Sequence, residues 1–81
     1  MPKKMLVHTT FKTIQKHDVE ISVVQTQFGF YAEWSCLEPY CSGATNSEKD
    51  IESAVRSAEV KAFIGIGFRL EELTQEKPDG A

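Results

Sequence analysis

Residues 19–37, Val19-Glu-Ile-Ser-Val-Val-Gln-Thr-Gln-Phe-Gly-Phe-Tyr-Ala-Glu-Trp-Ser-Cys-Leu37, decide the fold class. Val19, Ile21 and Val23 recur at period two with Glu20 and Ser22 between them, the pattern of a strand with one buried face. After a turn at Gln27-Phe28-Gly29, in which Gly29 can take a positive φ, a second strand begins. Phe30, Ala32, Trp34 and Cys36 fall on one of its faces, and Tyr31, Glu33 and Ser35 on the other. Strands joined by so short a turn pair most simply as an antiparallel hairpin.

Upstream, residues 5–16 are rich in β-branched and aromatic types. Val7, Thr9, Phe11 and Thr13 fall on one face, with Leu6 and Ile14 on the other, which predicts a strand ending at a His17-Asp18 turn. Downstream, Pro39 has no N–H for a ladder and is expected to end the sheet, leaving Cys41–Asn46 as a loop. Ser47 reads as a helix N-cap, with Glu48 and Asp50 in the first turn. Ile51, Ala54, Val55, Ala58 and Ala62 then form an apolar stripe at helical spacing, supported by a Glu52–Arg56 pair.

The predicted architecture is α+β: a three-stranded antiparallel β-meander covered on one face by a long C-terminal α-helix, in two layers. One domain spans residues 1–76, and residues 77–81 read as a disordered tail. The segment Ala62-Phe-Ile-Gly-Ile-Gly-Phe68 is apolar on all sides and holds two glycines, each costing a helix about 1 kcal/mol relative to alanine. One small sheet cannot cover such a segment all round. Either the chain turns at Gly65 or Gly67, or a second subunit covers it.

With 81 residues there is room for one domain with a thin core. No apolar run approaches the roughly 20 residues of a membrane span, and the polar Thr9, Thr10 and Lys12 interrupt any secretory signal, so the expected location is the cytoplasm. The net charge of −3 divides into +1 over residues 1–34 and −4 over residues 35–81. An acidic domain is a poor non-specific partner for nucleic acid.

Few residues suggest chemistry. Cys36 and Cys41, with His8 and His17, supply four zinc-ligand types, but not the two tight pairs zinc sites usually show. A buried Cys36 beside Trp34 and a loop Cys41 is the simpler expectation. A disulfide between them across the Pro39 turn would need activated thiolates, and neither has a cationic neighbour in sequence. His17 lies in an expected exposed turn, where water is hard to exclude. The carboxylates fall mainly on a helix's polar side or in its first turn. Gly65-x-Gly67 lacks the remainder of a phosphate loop. No nucleophile, base or cofactor cradle stands out, so no enzyme and no cofactor are expected.

Gly29-Phe-Tyr-Ala-Glu33, then Leu37, Pro39, Cys41, Gly43 and Thr45, followed by a helix with Ala54 and Ala58, resembles the partial RNase H-like domain of HicB-type antitoxins. The resemblance covers residues 19 to about 64. It implies a meander followed by a helix, and a protein partner. No counterpart of that family's C-terminal DNA-binding segment follows, so operator binding is not implied. Small bacterial proteins of the kind carried on mobile gene cassettes share the same simple architecture.

The expected function is a non-enzymatic protein-interaction module that forms a homodimer through Phe63, Ile64, Ile66, Phe68 and Leu70, with Gly65 and Gly67 admitting a second backbone. Two alternatives remain open. One is a nucleic-acid-contacting sheet using His8, Lys12, Lys16 and Tyr31; the other is a metal or redox site at Cys36 and Cys41.

Overall fold

The computed structural model describes residues 4–75. The expected tail at residues 77–81 lies outside them. Four strands, β1 (Met5–Ile14), β2 (His17–Thr26), β3 (Gly29–Leu37) and β4 (Tyr40–Ala44), precede one helix, α1 (Ile51–Gln75). The strands form one antiparallel sheet in the order β1-β2-β3-β4. The meander therefore has four strands where three were expected. Pro39 does not end the sheet. It sits in the two-residue Glu38-Pro39 turn, joined by a cis bond, where its missing N–H costs no ladder bond. Residues 40–44 then pair with β3, from Leu37↔Tyr40 to Glu33↔Ala44.

The first turn also lies earlier than expected. Gln15 and Lys16 both have positive φ, 54° and 69°, as the two central residues of a type I′ hairpin do, and His17-Asp18 already belong to β2. These positions carry no glycine or asparagine to announce the turn. Farther along β1, Leu6 pairs with Val24 and His8 with Val23, so Val7 is the extra residue of a bulge.

One sheet face carries the core. Val19, Ile21, Val23, Ala32, Trp34 and Cys36 are buried there, with Ile14 at the end of β1. Helix α1 covers this face with Ala54, Ala58, Ala62 and Ile66, all fully buried. Alanine at every fourth position lets the helix axis lie close to the sheet. The connection to the helix is pinned by a two-bond bridge between Phe30 and Glu48. A side chain on Gly29 (φ +128°) would place its Cβ 2.6 Å from the Glu48 carbonyl oxygen, so this bridge requires glycine. Thr45 is buried beside it, and its hydroxyl accepts from the Ala32 N–H at 3.0 Å.

The helix begins at Ile51, capped by Asp50 and not by Ser47: the Asp50 carboxylate accepts the Ser53 N–H at 2.7 Å. It continues unbroken through both glycines to Gln75. Each glycine meets a neighbour from the chain's own sheet. A Cβ on Gly65 would come within 2.7 Å of the Trp34 ring, and one on Gly43 within 2.9 Å of the same indole. Trp34 is thus packed between β4 and α1 at two positions without side chains. Gly67 faces Gln15, whose amide donates to the Phe63 carbonyl at 3.1 Å.

Candidate functional site

Helix α1 turns a row of alanines and Ile66 toward the sheet and leaves several of its large apolar side chains to solvent. Val60, Phe63, Ile64 and Phe68 are between 51% and 64% exposed, while Ala54, Ala58 and Ala62 are buried. At 3.6 residues per turn, positions 60, 63, 64 and 68 make one continuous apolar strip. Its flanks are shallow. One depression, of about 450 Å³, runs between this strip and the end of β1, lined by Thr13, Ile14, Gln15 and Phe63. The Lys12 ammonium reaches Glu59 at 3.4 Å along the same border.

Of the residues expected at an interface, Phe63, Ile64 and Phe68 lie on this strip. Ile66 does not: it is wholly buried against the sheet and is closed to any partner. Leu70 is half-buried and packs on the core. Nor does Gly65 admit a second backbone, since the Trp34 ring already fills that space. Val60 was missed because the segment's apolar character was read from residue 62 onward, although Val60 belongs to the same helical strip.

The expected nucleic-acid residues are divided between faces. His8 and Lys12 pair with Val23 and Val19, so they project from the helix-covered face of β1, and Lys12 is engaged by Glu59. Tyr31 alternates with buried Ala32 and projects from the other face, where its hydroxyl donates to Glu33 at 3.4 Å. Lys16 sits in the β1–β2 turn. The open sheet face holds Glu20 and Glu33 among Ser22, Ser35 and Ser42, around a depression of about 430 Å³. Lys4 joins these carboxylates there, its ammonium 6.0 Å from the centre of the Tyr31 ring, and the serines have no imidazole beside them, because His8 and His17 belong to the opposite face.

Cys36 and Cys41 stand directly opposite each other on β3 and β4, both as free thiols. Cys36 is buried and Cys41 half-buried. Burial and the neighbouring Cys36 thiol push the Cys41 thiol above its usual pKa, although Arg69 acts in the opposite sense. The sequence showed no cation near either cysteine; the helix brings Arg69 there from 28 positions away. Its pull does not overcome the desolvation, so the Cys41 thiol is disfavoured as a thiolate. Among the described residues, no three of His, Cys, Asp and Glu gather as a metal set would need.

No protein-family model matches the chain, and no curated protein or solved structure is significantly similar to it. The functional reading therefore rests on the residues themselves. No helix among the described residues is long and apolar enough to cross a membrane.

Proposed function

We propose that this chain is a non-enzymatic protein-interaction module that self-associates through the solvent face of α1. The observation that carries the reading is the set of large apolar side chains left on the solvent face of that helix. Alanines serve the chain's own sheet, and Val60, Phe63, Ile64 and Phe68 are left to water. A contiguous apolar strip of this kind marks an interaction site on soluble proteins. A second copy is the simplest occupant, because a two-fold contact buries the strip on both chains at once. The resemblance of residues 19–64 to HicB-type antitoxin domains points the same way, toward protein and not nucleic acid.

The magnitudes predict a weak dimer. Covering the exposed part of Val60, Ile64 and Phe68 is worth on the order of 1 kcal/mol apiece, and two copies contribute them twice. That gross gain, on the order of 6 kcal/mol, lies within the range of the association cost, so the surplus is small and the dimer is expected to populate only toward millimolar concentration. The test is Phe68→Asp, read by light scattering across concentration and by thermal unfolding. The variant should raise the Kd at least about tenfold, at a cost to monomer stability of no more than about 0.5 kcal/mol, since Phe68 is 64% exposed. An unchanged Kd would contradict the assignment of the surface.

A further inference from the structure

Three salt bridges engage most charges of α1: Glu59 with Lys12, Arg56 with Glu52, and Arg69 with Glu72. Among the described residues of α1, Lys61 and Glu71 are the two charges left outside a salt bridge. Both are exposed. Between them, on the same side of the helix, stand Ile64 and Phe68, 51% and 64% exposed. The order Lys61, Ile64, Phe68, Glu71 has spacings of three, four and three residues. That is the spacing of a helix-pairing seam, and it places all four within about 80° of the helix surface.

The pattern is also symmetric about position 66 in a particular sense. Reversing the chain direction exchanges Ile64 with Phe68 and Lys61 with Glu71. We infer that two copies pair with their α1 helices antiparallel, the two-fold axis level with residue 66, so that Lys61 meets the other copy's Glu71 twice and Ile64 meets the other copy's Phe68 twice. This rests on the self-association proposed above and specifies its geometry. A parallel pairing of the same seam would set lysine against lysine and glutamate against glutamate, which disfavours it. Val60 flanks the seam one turn before Ile64 and is partly covered by the same contact. Phe63 lies outside the seam, on the β1 side, where Gln15 already borders it.

The seam's charges are the test. Lys61→Glu and Glu71→Lys each convert two attractive contacts per dimer into repulsive ones. Each should raise the Kd about tenfold at low ionic strength. The double reversal should return it to within about threefold of the unaltered chain. Far-UV circular dichroism of all three variants checks that α1 remains folded. If the unaltered chain dimerises but single reversals leave its Kd unchanged, or the double reversal is no tighter than the singles, the antiparallel register is wrong while self-association stands. If the unaltered chain shows no concentration-dependent mass at all, both fail.

Discussion

Trp34 organises the join between sheet and helix, and it does so through residues that have no side chains. Its ring occupies the space above Gly43 and below Gly65. The two helical glycines therefore answer differently to the same substitution. Alanine at either position gains about 1 kcal/mol of helix propensity. At Gly65 the new methyl would meet a rigid ring at 2.7 Å, and overpacking of this kind costs about 1–3 kcal/mol, so Gly65→Ala should lower the melting temperature. At Gly67 the methyl would meet the far end of the flexible Gln15 side chain at 3.2 Å, so Gly67→Ala should be neutral within about 0.5 kcal/mol or stabilising. Equal melting temperatures for the two variants would show that the indole is not held this way. At the same scale, the raised Cys41 pKa leaves a protonated thiol at neutral pH. Alkylation of the native protein should be slow at pH 7, add at most one adduct, and accelerate as pH rises through and above the usual cysteine range. Two rapid adducts at pH 7 would favour the redox alternative.

The helix start rests on Asp50. Hydrogen bonds from Ser53 hold its carboxyl below the usual aspartate range. A depressed carboxylate contributes stability above its unfolded pKa, about 3.9, and loses that contribution as pH falls through the folded value. Asp50→Ala should lower the melting temperature at neutral pH, Asp50→Asn should largely preserve it, and the deficit of the alanine variant should shrink in acid. A pH-independent deficit would remove the charge from the account of the cap. Strands β2 and β3 and the first half of α1 were legible because alternation and helical spacing are each strong there. β4 was not. Tyr40-Cys-Ser-Gly-Ala44 contains no β-branched residue, and its inward positions are the cysteine and glycine that Trp34 and α1 need to be small. The β1–β2 turn was displaced for a related reason: Gln15 and Lys16 take left-handed conformations that their residue types do not advertise.

For the whole molecule, the apolar excess of residues 62–68 was visible in the sequence, and its division between inside and outside was not. Ile66 and Leu70 carry the same chemistry as Ile64 and Phe68, and helix phase alone sends the former to the core and the latter to solvent. The continuous helix removes the expected turn at Gly65 or Gly67 and leaves the apolar strip exposed among the described residues. The protein is elongated, 54 × 24 × 16 Å, so elution volume would overstate its mass. Sedimentation equilibrium of the unaltered chain, from micromolar to millimolar concentration, tests self-association most directly. A weight-average mass rising from 9.1 kDa toward twice that value is the predicted result. A mass that stays at 9.1 kDa up to the highest concentration would contradict the dimer.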